Sequence, residues 1–180
     1  SIGSAGYALL GILAMSELGL YSVLIYILVY MFATLGIWAT VLMLRRRAYA
    51  GEAVDDFQGL HKRAPGIALA MVIFLLSLGG IPPTAGFIGK FYLFAGAIQA
   101  GWGWLAIIAV LMSAVSMFYY FRIVVAMYLK EGVESEVAVT PQLRLIVAVC
   151  LALTLAIGIF PEPLLRGVRE SLRGKVAGIM

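Results

Sequence analysis

Lys90 is the residue of this sequence whose type and position invite chemistry. It lies in Gly86-Phe87-Ile88-Gly89-Lys90-Phe91-Tyr92-Leu93-Phe94, a run with no other charge. A lysine at the centre of a bilayer costs about 2.5–3.5 kcal/mol on insertion scales, so an intramembrane lysine points to function by default. Kept from water, its ammonium can interconvert with the neutral amine and so take up and release a proton, whereas a neighbouring carboxylate would hold that proton. A second reading stays open: the stem snorkels to the outer interface, where Tyr92 and Trp102 mark the headgroup level.

The other ionisable groups are weaker candidates. Arg122, in Phe118-Tyr119-Tyr120-Phe121-Arg122, is placed either to reach the cytoplasmic headgroups near Lys130 or to assist proton movement. His61, beside Lys62-Arg63, reads as a loop residue, with proton uptake as the alternative. Glu17 falls in a tight turn and reads as solvated, and Cys150 as a small buried apolar residue. Gly89-Lys90 is not a phosphate loop, because Thr84 and Phe91 stand where that motif needs Gly and Ser or Thr. One Cys and one His exclude a disulfide framework and make a His-based metal cage improbable.

The elements that must position these groups are membrane helices. The chain has 180 residues, 63% hydrophobic and 12% charged, with a mean hydropathy of +1.05. Soluble proteins carry roughly 25% charged residues. The formal charge of +4 does not signal nucleic-acid binding, because the basic residues cluster between long apolar runs instead of lining a face beside exposed aromatics. About 20 apolar residues cross a bilayer, and the runs predict an all-α bundle of five transmembrane helices. They are Ile2 to about Ala14, ended by a turn at Ser16-Glu17-Leu18-Gly19; Leu20 to Leu44; Pro65 to Gln99; Trp102 to Leu129; and Leu143 to Phe160, stopped by Pro161 and Pro163. Residues 1–163 form this bundle, and 164–180 form an amphipathic tail on the membrane surface, with Arg166, Arg169, Arg173 and Lys175 set against Leu164, Leu165, Val168, Leu172 and Val176. The stretch Arg45 to Arg63 is the one long hydrophilic loop.

Lys and Arg favour the cytoplasmic side. The 45–63 and 130–142 loops, with Arg144, carry seven basic residues on one side, which places the 45–63 loop in the cytoplasm and the C-terminus in the periplasm. The opening Ser-Ile-Gly-Ser-Ala-Gly-Tyr lacks Met, a basic segment and a cleavage site, so it reads as a segment inside a longer polypeptide.

The third run is too long. As a straight helix Pro65 to Gln99 would reach about 52 Å, well beyond a hydrocarbon core of about 30 Å. The excess coincides with Leu78-Gly79-Gly80-Ile81-Pro82-Pro83-Thr84. Pro82 and Pro83 remove backbone donors, and Gly79 and Gly80 permit non-helical dihedrals, so this helix is expected to be discontinuous from Gly79 to Pro83. Unwound backbone at depth is tolerated where it is buried in protein or lines a wet cavity. In transporters such breaks mark the pathway of the ion. Ala85, Gly89 and Gly96 would let neighbouring helices approach closely.

The stretch Ser77 to Phe94 resembles antiporter-like subunit N of respiratory complex I, the NADH–quinone oxidoreductase. Ser1 to Tyr7 is similar to the family's SSIAHxGY stretch, with Ser4 in place of the usual His or Gln. Asp56-Phe57-Gln58-Gly59-Leu60 with Arg63 and Pro65 resembles the loop before its broken helix, and Tyr119-Tyr120-Phe121-Arg122 with Met127-Tyr128 the helix after it. Sister subunits L and M and Mrp-type antiporters share the break but tend to carry Ser-Lys-Asp or a glutamate where this chain has Gly89-Lys90-Phe91. The resemblance implies the second inverted repeat of an antiporter-like fold. It implies a proton-translocating subunit, with Lys90 as the lysine that passes a proton outward and no redox site in this chain. It also implies FMN, iron–sulfur clusters and quinone in partner subunits, and contacts with subunit M, small subunits J and K, the lateral helix of subunit L and the lipid bilayer. An Mrp-type antiporter or membrane-bound hydrogenase subunit, and a purely structural arm subunit, are the competing readings.

Overall fold

A computed structural model describes residues 2–44, 54–131 and 140–176, with side chains as far as Ser171. The Arg45-Arg46-Arg47 cluster, Glu134, Glu136 and the side chains of Arg173 and Lys175 lie outside the described residues. Helix α1 (Ile2–Leu13) leads into α2 (Glu17–Leu44). A 3₁₀ turn (Val54–Phe57) and the short α3 (Leu60–Arg63) precede α4 (Pro65–Gly79) and α5 (Ala85–Gln99). Then come α6 (Gly103–Leu129), α7 (Pro141–Ile159) and α8 (Glu162–Val176).

The architecture is an all-helical membrane bundle. Among the described residues α2, α6 and α7 are long and apolar enough to cross a membrane. The first run gives a helix of 12 residues, about 18 Å long. The third gives two helices of 15 residues each, on either side of a gap. The turn expected at 16–19 lies earlier, because Ser16 Oγ accepts from Gly19 N at 3.0 Å and caps α2; Glu17 is exposed in its first turn.

Helix α2 is the centre of the bundle. Its buried residues Ile25, Val29, Ala33, Gly36, Thr40 and Met43 recur every three or four positions, one stripe of a helix. The small members of that stripe let neighbours in: Phe74 of α4 lies over Gly36. A Cβ at Gly89 of α5 would stand 3.3 Å from Tyr26 Cα, and one at Gly96 would stand 3.7 Å from Gly19 Cα. Ser22 and Thr40 donate to Gly19 O and Gly36 O of their own helix, so these hydroxyls do not go unsatisfied in the core. Cys150 joins the apolar cluster around Phe74. Helix α6 fully buries Ala106, Ser113, Ala126 and Met127, packs Leu105, Ala109, Tyr120, Ile123 and Val124 partly against the bundle, and exposes a broad outer face.

Two further segments differ from the sequence expectation. The tail helix starts at Glu162, not after Pro163, because a proline in the first helical turn gives up an amide with no intrahelical partner anyway. Its Leu164, Leu165 and Val168 pack on the Tyr21 and Ile25 end of α2, and Tyr21 Oη donates to Leu165 O at 2.8 Å. The second half of the hydrophilic loop is docked: Phe57 and Leu60 are buried against Met71, Leu75 and Met127. Gly59 N donates to Ala126 O at 3.3 Å, and Lys130 pairs with Asp55 at 3.5 Å. Leu60 is fully buried, so Leu60→Ala is expected to cost about 2–5 kcal/mol, read as a lower thermal midpoint of the purified protein.

Candidate functional site

The gap between α4 and α5 is built so that its backbone groups find partners. Gly80 adopts φ 82 with its N–H on Leu76 O and Ser77 O, at 2.9 and 3.0 Å, and Ile81 N–H donates to Leu76 O at 3.0 Å. That is a left-handed glycine cap, which suits a residue without a Cβ. Pro82 and Pro83 have no N–H to satisfy, and the bond joining them is cis. Thr84 donates twice to Ile81 O, from N at 3.1 Å and from Oγ1 at 2.6 Å. Gly86 N–H crosses back to Ser77 Oγ at 3.1 Å. Gly158 of α7 rests on Pro83 O and the Thr84 backbone. The N–H groups of Gly80, Ile81 and Thr84 are thereby hydrogen-bonded, and Thr84 is buried, while Pro82 and Pro83 stay exposed.

One carbonyl at the end of α4 is used differently. Lys90 is 5% exposed, and its Nζ donates to Gly79 O at 3.1 Å and to Ser113 Oγ at 2.6 Å. Ser113 Oγ in turn donates to Gly79 O at 3.0 Å, closing a three-membered set. The Tyr7 ring lies under the ammonium, 4.7 Å from its centroid, a cation–π contact. Tyr7 is held in place by a bond from its hydroxyl to Ala109 O at 3.3 Å and by edge contacts with Tyr26 and Phe94. The Lys90 stem lies on Gly80, where a Cβ would stand 2.8 Å from Cδ. This geometry removes the snorkelling alternative. Helical side chains lean toward the N-terminus, which for α5 is the gap, away from Trp102.

The remaining candidates are elsewhere. Arg122 is exposed on α6 and makes no hydrogen bond or ion pair with the described residues. From Ser113 to Met127 the α6 axis runs about 21 Å, and His61 sits at that far end. Its Nδ1 donates to Met127 O at 2.7 Å and its ring stacks on Tyr128. Neither Arg122 nor His61 is brought to Lys90; His61 braces the docked loop. No group of three or more His, Cys, Asp or Glu that could hold a metal occurs among the described residues.

Sequence reasoning missed Ser113 and Tyr7. Serine in an apolar helix usually bonds back to its own turn, as Ser116 does to Met112 O at 2.9 Å, so Ser113 carried no distinguishing signal. The arrangement can hold one proton at a buried nitrogen between a helix end, a hydroxyl and an aromatic face.

The family described as NADH:quinone oxidoreductase/Mrp antiporter, transmembrane, matches residues 1–116. NADH-quinone oxidoreductase subunit N 2 of Solibacter usitatus is 47% identical over 96% of this chain and 35% of its own length. The subunit N 2 of Rhizobium meliloti is 43% identical over 97% of this chain and 36% of its own. The chain spans about a third of the length of these relatives. Among solved structures, a chain of respiratory complex I from Thermus thermophilus with bound aureothin aligns with a TM-score of 0.75 at 31% identity, covering 90% of this chain and 36% of that one. A chain of the Mrp complex from Dietzia shares the fold, with a TM-score of 0.79 at 22% identity over 90% of this chain and 39% of that one.

Proposed function

The chain belongs to the NADH:quinone oxidoreductase/Mrp antiporter transmembrane family, and on that premise we propose that it is part of a membrane-arm subunit that translocates protons. Electron transfer from NADH to quinone elsewhere in the complex drives the movement. The observation that carries this reading is Lys90: a buried ammonium held by Gly79 O and Ser113 Oγ at a helix break, with no ion-pair partner among the described residues. A lysine without a carboxylate can both load and discharge, which a relay needs.

The finer features belong to the same proposal. The five apolar runs make five crossings, with α4 and α5 as the two halves of one, in the second inverted repeat of the antiporter-like fold. The 45–63 loop faces the cytoplasm of a bacterium and the C-terminus the periplasm. Residues 1–163 serve as the bundle and the tail helix lies at the interface. FMN, iron–sulfur clusters and quinone sit in partner subunits, and subunit M, subunits J and K and the lateral helix of subunit L flank this chain. Gly79, Gly80, Pro82 and Pro83 keep the helix open beside the lysine. The subunit N names of the relatives favour this reading over an Mrp-type exchanger.

The test uses the full-length subunit in the assembled complex, in liposomes. Lys90→Met keeps the stem and removes the amine. Protons moved per NADH oxidised are expected to fall severalfold, while NADH oxidation by a soluble artificial acceptor stays at the unmodified rate. Unchanged pumping would favour a purely structural arm subunit.

A further inference from the structure

The partners of Lys90 differ in what their atoms can donate and accept. An ammonium has three N–H groups and no lone pair, so the 2.6 Å contact is a bond from Lys90 Nζ to Ser113 Oγ. The Ser113 hydrogen is then spent on Gly79 O, at 3.0 Å. When Lys90 gives up a proton it keeps two N–H groups and gains a lone pair that needs a donor. Gly79 O can only accept. Tyr7 presents its ring face, which also only accepts, and its hydroxyl is turned to Ala109 O. Among the described side chains at the ammonium, Ser113 is the one that can reverse.

Resting on the proton-carrying reading of Lys90, we propose that Ser113 is a positioning residue whose hydroxyl reverses its hydrogen bond with each change of protonation at Lys90, and so sets the pH at which the lysine discharges. In the loaded state the hydroxyl accepts from Nζ and donates to Gly79 O. In the discharged state it turns its hydrogen from Gly79 O to the nitrogen lone pair. The proton itself leaves to a water molecule. One N–H bond breaks, its electron pair stays on nitrogen, and one O–H bond forms on the water. No proton passes through Ser113; only its bond direction turns. Both states of a buried nitrogen are thereby satisfied by the same residue, which avoids the penalty of an unpaired buried polar group.

The two bonds are unequal. A hydrogen bond with a charged partner is roughly twice as strong as a neutral one. Removing the hydroxyl therefore weakens the loaded state more than the discharged one, and the lysine empties at lower pH. The surroundings offer little else to shift that balance. Tyr7 from α1 lies against Lys90, and Tyr26 and Tyr30 from α2 with Tyr120 from α6 are the titratable groups around Tyr7. Helix α4 contributes Gly79 and Gly80, and α6 contributes Ser113 and Met117. The one charged residue of α7, Arg144, sits in its first turn, at the opposite end from Gly158 and the gap.

The experiment measures pumping against pH for the full-length subunit in the reconstituted complex, with Ser113→Ala, Ser113→Thr and Lys90→Met side by side. In Ser113→Ala the alkaline limb of the profile is expected to move to lower pH by about one unit, and Ser113→Thr, which keeps the hydroxyl, restores it. A Ser113→Ala profile that superimposes on the unmodified one, or that drops evenly at all pH values, overturns the role of Ser113 while Lys90→Met remains impaired. Full pumping by Lys90→Met overturns the reading of the lysine itself. Should Ser113→Ala fail to assemble, Ser113→Cys carries the same test, since a thiol is a weak acceptor.

Discussion

Gly86→Ala is expected to leave little assembled protein in the membrane. The added methyl would be driven into the carbonyl oxygen of Ser77, with Ser77 C at 2.5 Å and Ser77 Oγ at 3.0 Å. Overpacking costs about 1–3 kcal/mol when side chains can shift. Here the obstacle is backbone at the end of α4, fixed by its own hydrogen bonds, so the cost falls at or above the top of that range. About 3 kcal/mol lowers the ratio of folded to unfolded protein roughly a hundredfold. The same substitution pushes Gly86 N away from Ser77 Oγ, its bond across the gap. Gly66→Ala is the control, since a Cβ there meets nothing within 4 Å, and it is expected to stay within about 0.5 kcal/mol of the unmodified protein. Quantifying the subunit in purified membranes checks both. Normal assembly of Gly86→Ala would mean that the two half-helices do not meet as described.

Gly158→Ala is the second large effect, and it strikes the gap from the opposite side. Its methyl would enter Pro83 O, with Thr84 C and Cα at 2.6 and 2.7 Å. Helix α7 would have to withdraw from the segment that joins α4 to α5. Assembly is expected to fall as for Gly86→Ala, at a cost of about 3 kcal/mol. Any protein that does assemble should pump poorly, because the gap shapes the cradle of Lys90. Retention of full assembly and full pumping would show that α7 does not support the break.

Much of this site was legible in the sequence, for specific reasons. Two glycines and two prolines inside an apolar run announce a break, and a lone lysine seven residues on announces depth. Composition and order suffice for both. The direction of the Lys90 side chain was open between the interior and the outer interface until the packing decided it. Its partners were not legible, because Ser113 lies 23 residues from Lys90 and 34 from Gly79 along the chain. Their meeting depends on how α6 is rotated against the gap. The docked loop failed for another reason: Phe57 and Leu60 are among the few large apolar residues of a polar stretch, too few to set a pattern, yet both are buried. Nothing in the sequence sets Gly86 and Gly158 apart from other glycines of membrane helices; their closeness to Ser77 and to Pro83 and Thr84 appears only in three dimensions.

Gly79 is the last residue of α4, so Lys90 binds a helix terminus. Aligned peptide dipoles place about half a negative charge at that end, spread over its last carbonyls. The ammonium therefore faces a fractional, immobile counter-charge supplied by backbone, which never titrates and cannot be captured by a competing proton. A full carboxylate in the same place would grip a cation in a water-poor site too firmly for repeated release. A helix end attracts enough to seat the charge and too little to trap it. The interruption in the helix thus supplies, out of main chain alone, the counter-charge that seats the Lys90 ammonium.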